Sequence, residues 1–363
     1  MTASQCERIT EMKKYNVGVM GATGAVGQQM IKILGERNFP VEELRCLASA
    51  RSAGKVLATP FGDCTIVETA PGAFDGLDIV LGASENDIAE AMAPHIKAAG
   101  AVFVDNSSAF RLDPDVPLVI PEINGEDALK HNGIISNPNC STIITLMAVN
   151  AINGLSEIET MYASTYQATS GAGAAGPVEM YEEAEAIIAA RKEVVAKGGD
   201  SATKGVAYGA DIRPEKFQHQ IAFNLIPQIG GFGENGYSSE ELKLLNEGRK
   251  IMHLPELKVS CTCVRVPVER SHAISVNVIT KDILTVEQVR EAVAAHPGCK
   301  LVDNGDAHEY PMPIETSNQD LVYVGRIRKD LANDHGINLW CCGDQVRKGA
   351  ATNAVQIAEL LVK

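Results

Sequence analysis

Apolar and polar positions follow two different patterns along this chain. Over the first 140 residues, short continuous apolar runs alternate with segments that carry apolar residues at helical spacing. The strand-like runs are 16–20, 44–48, 77–82 and 101–105, and the helical segments are 28–34 and 86–99. This alternation is typical of a parallel, doubly wound sheet with helices on both faces.

Beyond residue 140 the pattern changes. Strand-like runs occur at 158–167, 259–267, 273–280, 323–328 and 337–342, and helices are predicted at 177–196, 238–252 and 350–362. Pro177 suits a first helical turn, and Ser238 to Glu241 resembles a capping box. We expect the strands 259–267 and 273–280 to be adjacent. The pattern predicts a second, mixed or antiparallel sheet with helices on one face.

A glycine-rich turn separates the first strand from the first helix. It has the spacing G-x-x-G-x-x-G, from Gly21 through Gly24 to Gly27. Glycines in this context let the backbone approach a pyrophosphate, and the following helix N-terminus favours its charge. The turn therefore predicts a Rossmann-type dinucleotide-binding domain. A tight turn without a ligand is the alternative.

The loop after the second strand indicates which dinucleotide binds. NAD-binding units usually carry an acidic residue about 20 positions after the glycines. Here Arg51 and Ser52 occupy that place, with Lys55 close by. Because a guanidinium pairs with a 2′-phosphate, the loop predicts NADP over NAD. The alternative is a solvated basic loop.

A single cysteine, Cys140, stands where a turn meets a long apolar segment, residues 143–152. If that segment is a helix, Cys140 lies in its first turn, where unpaired N–H groups and the helix dipole favour an anion. We therefore expect a thiol that ionises easily and acts as a nucleophile. A buried structural cysteine is the alternative.

Other candidate residues cluster near predicted strand and helix ends. Arg111 follows the strand at 101–105, at the sheet edge where α/β proteins bind ligands. Arg265 and His272 flank one loop, and Glu240 and Lys243 lie three positions apart in one helix. Each of them could equally be an ordinary surface or core residue.

Composition excludes several classes of function. A net charge of −14 argues against nucleic acid and anionic membranes as partners. No apolar run approaches the roughly 18 residues of a membrane span. The polar residues 1–14 contain no apolar signal core, and nine scattered cysteines suit a reducing compartment, so we expect a cytoplasmic protein. The pairs Cys261/Cys263 and Cys341/Cys342 lack zinc-site spacing, so we expect core packing and no metal.

Six sequence blocks taken together resemble a known family. They are 21–27 (GATGAVG), 106–111 (NSSAFR), 136–142 (SNPNCST), 167–173 (QATSGAG), 265–272 (RVPVERSH) and 343–345 (GDQ). From about Lys14 to its end the chain resembles the aspartate-semialdehyde dehydrogenases. The resemblance implies NADPH-dependent reductive dephosphorylation of L-aspartyl 4-phosphate to L-aspartate 4-semialdehyde through a cysteine thioester. That step serves lysine (through diaminopimelate), threonine and methionine biosynthesis.

The same resemblance implies a role for each candidate residue. Cys140 would be the nucleophile, His272 the acid/base and Gln167 the residue that orients the acyl group. The substrate-binding residues would be Arg265 and Glu240 at the amino-acid end, Arg111 and Lys243 at the phosphate, and Asn139. The cofactor-binding residues would be Thr23, Gly24, Ala25, Val26, Arg51, Ser52, Ser170, Gly171 and Gln345.

We expect two domains, with residues 1–139 and 346–363 binding NADP and 140–345 forming a catalytic and dimerisation domain. The family implies a homodimer or homotetramer. Three alternatives stay open: an N-acetyl-glutamyl-phosphate reductase, a cysteine peptidase with Cys140 and His272 at papain-like separation, and a non-catalytic paralogue. Residues 1–13 and the glycine-rich segment 197–216 receive no function from the sequence.

Overall fold

The computed structural model describes residues 13–199 and 207–362. Residues 1–12 and the central part of the 197–216 segment lie outside the described residues. Within the described ranges the strands form two six-stranded sheets and one small hairpin. No helix in these ranges has the length and apolar character needed to cross a membrane.

The first sheet is entirely parallel, as the continuous apolar runs predicted. Its strands are β1 (Tyr15–Met20), β2 (Val41–Ala48), β5 (Val67–Glu68), β6 (Ile79–Gly82), β7 (Val102–Asp105) and β8 (Ile134–Ser136). The strand order is β5-β2-β1-β6-β7-β8, so the order reverses between β1 and β6. Such a switch point leaves a crevice at the carboxyl ends of the strands. The hairpin β3 (Val56–Thr59) and β4 (Gly62–Thr65) is appended to this sheet.

Helices cover both faces of the first sheet. On one face, α1 (Ala25–Glu36) and the C-terminal α9 (Thr352–Leu361) pack against alternate residues of the central strands. On the other face, α2 (Asn86–Ala98) does the same. A short helix, α3 (Pro121–Asn124), follows β7. These features confirm the predicted Rossmann-type fold.

The second sheet is mixed, as predicted. Its strands are β9 (Ile158–Gln167), β10 (Lys258–Arg265), β11 (His272–Thr280), β12 (Cys299–Leu301), β13 (Val322–Lys329) and β14 (Gly336–Gly343), in the order β10-β9-β11-β14-β13-β12. The predicted adjacency of the strands now labelled β10 and β11 is wrong. β9 lies between them, pairing parallel with β10 and antiparallel with β11, so the loop between β10 and β11 passes across the end of β9.

One face of this sheet is covered and the other is open. The covered face packs against α4 (Cys140–Asn153), α6 (Ser239–Ile251) and α7 (Val286–Ala295). Cys261, Cys263 and Cys341 belong to this core, in agreement with the expected packing role. The open face carries Tyr162, which is 54% exposed, and Tyr166. The remaining helices are α5 (Ala175–Ala196) and α8 (Pro313–Thr316).

The C-terminal helix differs from the prediction at its start. A π-helical turn, Arg347–Ala351, precedes α9 and is buried throughout. Inside it, the ammonium of Lys348 is 2.6 Å from a carboxylate oxygen of Glu122 and donates to Asn353 and Gln356. A buried ammonium with these partners is satisfied, which explains why a charged residue can occupy the core here.

Candidate active site

Cys140 is the first residue of α4. The preceding Asn139 caps the helix, because its side-chain oxygen accepts the backbone N–H groups of Ser141 at 3.0 Å and Thr142 at 3.2 Å. Nearly every other residue of α4 is buried, so the helix cannot slide along its axis. The predicted position of Cys140 in a first helical turn is confirmed.

His272, the first residue of β11, faces Cys140 across the site. Its Nε2 atom is 3.4 Å from Cys140 Sγ. Its Nδ1 atom accepts the backbone N–H of Ala168 at 3.0 Å. Since a ring nitrogen that accepts a hydrogen bond carries no proton, the neutral imidazole has its proton on Nε2, directed at the sulfur.

Both members of this pair are shifted toward their neutral forms. Burial raises the pKa of the Cys140 thiol to about 11, and the charge of Glu240 raises it too. Burial also lowers the pKa of His272 to about 3, with a contribution from the charge of Arg265. The expectation of an easily ionised thiol is therefore wrong for the ligand-free site, because the cost of desolvating the thiolate exceeds the gain from the nearby positive charges.

Glu240 lies at the centre of a buried polar cluster beside the cysteine. One oxygen accepts from Asn139 Nδ2 at 3.0 Å and Gln167 Nε2 at 3.2 Å, and the other is 2.9 Å from Lys243 Nζ. Although burial raises the pKa of Glu240, the Lys243 charge and these hydrogen bonds outweigh it and leave the pKa below its ordinary value. The carboxylate is ionised at neutral pH.

Arg265 ends β10 and points toward the same cluster. Its guanidinium donates to the carbonyl of Ala168 at 2.7 Å and lies 5.9 Å from the ring of Phe217. Gly171 packs directly against it: a Cβ there would lie 2.9 Å from both Arg265 Nη1 and His272 Cε1. Any side chain at position 171 would displace these two groups.

Arg111 reaches the site from the loop after β7. Its guanidinium donates to the carbonyls of Asn137 at 3.0 Å and Asn106 at 2.9 Å. It also forms an ion pair with Glu247, with a distance of 3.1 Å between Nη1 and Oε1. Three of its five donors are thus engaged within the protein, which leaves two for a ligand.

A cleft of about 600 Å³ joins the cysteine to the glycine turn. Its lining includes ten of the candidate residues or their neighbours: Gly24, Ala25, Val26, Asn106, Arg111, Asn139, Cys140, Ser170, Gly171 and Gln345. The glycine turn, Cys140 and Arg111 therefore open into one space. Gln345 Nε2 donates to Ser170 Oγ at 2.5 Å, which links two of the candidate cofactor residues.

The glycine turn has the shape that a dinucleotide requires. Gly21 has φ of 84°, and a Cβ there would lie 2.3 Å from the carbonyl oxygen of Ala83; a Cβ on Gly27 would lie 2.2 Å from that of Gly21. Around Gly24, by contrast, the nearest atom is 3.4 Å from a built Cβ. Gly24 caps α1 without a side-chain hydrogen bond. The helix N-terminus is thus open to a phosphate at the cleft.

Three candidate cofactor residues do not line this cleft. Thr23 lies in the glycine turn, and Arg51 and Ser52 lie in the turn that follows β2. Because β2 is parallel to β1 and adjacent to it, this turn is at the same carboxyl edge of the sheet. Arg51 is exposed there.

Two residues at the site were missed by sequence reasoning. Glu247 accepts the backbone N–H of Asn139 at 2.8 Å and pairs with Arg111. Its position seven residues after Glu240 on the same helix was the available signal. Gly349, in the π-helical turn, packs against the nucleophile, since a Cβ there would lie 3.0 Å from Cys140 Cβ. Nothing in the local sequence distinguishes it.

Comparisons with known proteins agree across the whole chain. Two family models match: "Semialdehyde dehydrogenase, NAD binding domain" over residues 16–131 and "Semialdehyde dehydrogenase, dimerisation domain" over residues 150–348. The aspartate-semialdehyde dehydrogenase of Aquifex aeolicus is 45% identical over 353 residues, covering 96% of this chain and 98% of its own. That of Bacillus subtilis is 43% identical over 352 residues, covering 96% and 97%.

Solved structures show the same likeness. Aspartate semialdehyde dehydrogenase II from Vibrio cholerae, complexed with ASA, superposes with a TM-score of 0.87 at 40% identity, covering 96% of this chain and 98% of that one. The Candida albicans enzyme, solved with NADP, has a TM-score of 0.71 at 25% identity, with 96% and 98% covered.

Proposed function

The chain belongs to the aspartate-semialdehyde dehydrogenase family, and on that premise we propose how its residues convert L-aspartyl 4-phosphate to L-aspartate 4-semialdehyde. The observation that carries the proposal is that Cys140, whose sulfur is 3.4 Å from His272 Nε2, opens into the same cleft as the glycine turn. The reaction is reductive dephosphorylation with a nicotinamide dinucleotide, a step toward lysine, threonine and methionine.

The cofactor is NADP in this proposal. A bound nicotinamide dinucleotide supplies the hydride for the reduction. The open α1 N-terminus at Gly24 to Val26 would hold the pyrophosphate, and Ser170, Gly171 and Gln345 would line the nicotinamide end. The exposed guanidinium of Arg51, with Ser52, would hold the 2′-phosphate at the same sheet edge. The NADP complex of the Candida albicans relative supports this choice.

Cys140 would be the nucleophile. His272 Nε2 would take the thiol proton as the sulfur attacks the acyl carbon, the carbon–oxygen bond to phosphate breaks, and a thioester forms on Cys140. After reduction, the tetrahedral oxyanion collapses to the aldehyde and the carbon–sulfur bond breaks. The imidazolium of His272, formed when its ring took the thiol proton, would return that proton from Nε2 to the leaving thiolate.

The hydrogen bond from Ala168 to Nδ1 fits the neutral resting ring and must break before His272 takes up a proton. To accept the thiol proton, Nε2 must be bare and the ring proton must sit on Nδ1. Ala168 N–H would then face another N–H group. We propose that, when His272 acts as a base, it breaks the hydrogen bond with Ala168 N–H and its Nδ1–H group donates to another acceptor.

The buried polar cluster would bind the amino-acid end of the substrate. The fork of Arg265 suits a carboxylate, and the ionised Glu240 suits an ammonium. Asn139 and Gln167 both touch Glu240, so Gln167 would orient the acyl group from there. Arg111 and Lys243 would hold the phosphate. Since Lys243 pairs with Glu240 in the ligand-free site, substrate binding would redistribute this pair between ammonium and phosphate.

The relatives favour this reaction over the N-acetyl-glutamyl-phosphate alternative, since they are named aspartate-semialdehyde dehydrogenases. The site chemistry points the same way. An N-acetyl substrate has no ammonium group, and the buried negative charge of Glu240 would then lack a cationic ligand. A cysteine peptidase binds no dinucleotide, so that alternative gives the glycine turn no function.

The chain forms oligomers through its dimerisation domain. We propose a homodimer built on the open face of the second sheet, where the rings of Tyr166 and Trp340 pack with centroids 5.4 Å apart and planes tilted by 47°. A homotetramer is the other assembly that the family allows. We also propose the division into residues 1–139 with 346–363 for the cofactor and 140–345 for catalysis and dimerisation.

The decisive experiment is phosphate-dependent reduction of NADP. Aspartate semialdehyde should support it, and N-acetyl-glutamate semialdehyde should not. With aspartyl phosphate but without NADPH, mass spectrometry should find an acyl adduct on Cys140. Cys140→Ser should lower turnover by about 10³-fold or more, whereas Cys64→Ser, outside the cleft, should leave it unchanged. An adduct on another residue would reject Cys140 as the nucleophile.

A further inference from the structure

One face of α6 carries four charged residues at helical spacing. They are Glu240, Lys243, Glu247 and Lys250, separated by three, four and three positions. Such spacing places them in one row along the helix. The first two belong to the proposed substrate site, whereas the last two have no role in it so far. Both of them contact Arg111 or its loop.

Glu247 is buried and uses both of its oxygens. Oε1 is 3.1 Å from Arg111 Nη1, and Oε2 accepts the backbone N–H of Asn139 at 2.8 Å. Its side chain is only 2% exposed. A single carboxylate therefore connects the guanidinium that faces the cleft to the residue that precedes the nucleophile.

Lys250 holds the backbone of the same loop. Its ammonium donates to three carbonyl oxygens, those of Arg111 at 2.9 Å, Asp113 at 2.6 Å and Val116 at 2.8 Å. Glu247 contacts the guanidinium of Arg111, and Lys250 donates to its carbonyl oxygen. Helix α6 therefore holds both the side chain and the backbone of this residue. Because loops are more mobile than the elements they connect, these contacts add to those with Asn106 and Asn137 in restraining the arginine.

We propose that Glu247 and Lys250 are positioning residues that hold Arg111 in the orientation in which it binds the phosphate of the substrate. The inference rests on the proposed function, in which Arg111 is a phosphate ligand. The three contacts of the guanidinium leave two N–H donors, one on each terminal nitrogen, available to the phosphate, and Arg111 lines the cleft. Neither positioning residue touches the substrate itself.

The test uses Glu247→Gln in the full-length protein. The amide keeps the shape of the carboxylate but has one acceptor where two are needed, so either the Arg111 or the Asn139 contact is lost. The KM for inorganic phosphate should rise about tenfold, the usual effect of one lost hydrogen bond to a charged group, and more than the KM for aspartate semialdehyde. The rise in melting temperature caused by inorganic phosphate should shrink in parallel.

Glu241→Gln is the matched control. Glu241 is a buried carboxylate of the same helix that, like Glu247, accepts on both oxygens; its donors are the backbone N–H groups of Ser238 and Cys263, and neither Arg111 nor Asn139 bonds to it. The Glu241→Gln variant should have a lower melting temperature, because one of these hydrogen bonds is lost, and an unchanged KM for phosphate. Lys250→Met removes the three hydrogen bonds to the backbone of the Arg111 loop and should also raise the KM for phosphate. This variant tests the proposal if Glu247→Gln does not fold.

The outcomes separate this inference from the proposed function. A wild-type protein without phosphate-dependent activity would contradict the function. An active wild type whose Glu247→Gln and Lys250→Met variants keep the normal KM for phosphate and the normal phosphate-induced melting shift would overturn the positioning role. An equal rise in the KM for phosphate with Glu241→Gln would overturn it as well.

Discussion

The sulfur of Cys140 lies 3.4 Å from Nε2 of His272, although the two residues are 132 positions apart. Their proximity follows from the way α4 lies across the second sheet. His272 pairs with Gly343 at the end of β14, and a Cβ on Gly343 would lie 3.0 Å from Ile144 of α4. The beginnings of α4 and β11 are thus held together by close packing, not by local sequence.

The titration of Cys140 provides a first prediction. Because its thiol pKa is about 11, the rate of alkylation by iodoacetamide in the ligand-free protein should keep rising from pH 7 to pH 10. Glu240→Gln should make alkylation faster at every pH in this range, since the Glu240 charge raises the thiol pKa. Mass spectrometry of the Cys140 peptide measures the rate. Glu241→Gln is the control, and a plateau below pH 8 would contradict the shift.

His272→Gln tests the imidazole. Turnover should fall by about 10²–10⁴-fold, the usual contribution of a positioned acid, while the affinity for NADPH stays close to that of the wild type. Because the pKa of His272 is lowered to about 3, its ring stays neutral from pH 5 to pH 9. The wild-type profile of kcat/KM against pH, which reports groups of the free enzyme, should therefore show no step near pH 6.5 from this residue. Such a step, lost in the variant, would refute the shift.

Arg51→Ala tests the choice of cofactor. The KM for NADPH should rise about tenfold or more, while that for NADH changes little, because only NADPH carries the 2′-phosphate. Initial rates with each reduced cofactor measure this. Lys14→Ala, an exposed basic residue at the opposite end of β1, should affect neither value. Equal effects on both cofactors would leave Arg51 outside the binding site.

Arg265→Lys tests recognition of the substrate carboxylate. The ammonium cannot donate to Ala168 and also bind a carboxylate through two parallel bonds, so the KM for aspartate semialdehyde should rise about tenfold. Arg249→Lys is the control, since Arg249 also donates to a carbonyl, that of Leu257, but away from the cleft. If the semialdehyde KM of Arg265→Lys equals that of the wild type, Arg265 does not bind the substrate.

Local features were predicted well where short-range physics dominates. The capping box at Ser238, the start of α4 at Cys140 and the glycine turn before α1 all depend on residues within a few positions of one another. Strand order was a different matter. β9 separates β10 from β11, and nothing in the two later strands indicates which partner they choose, because pairing depends on segments about 100 residues away.

The sequence by itself determined the family, the two sheet types and many of the residues that line the cleft. Only the tertiary structure decided the protonation states of these residues, their hydrogen-bond partners and the residues that hold them in place. The resting thiol is neutral because burial disfavours its charged form, and Glu240 contacts Asn139 and Gln167 because the fold brings three distant segments together. Glu247 contacts Asn139 and Gly349 contacts Cys140 only because the tertiary fold brings these distant positions together. Desolvation and long-range contact are sums over many distant residues, so no short motif contains them.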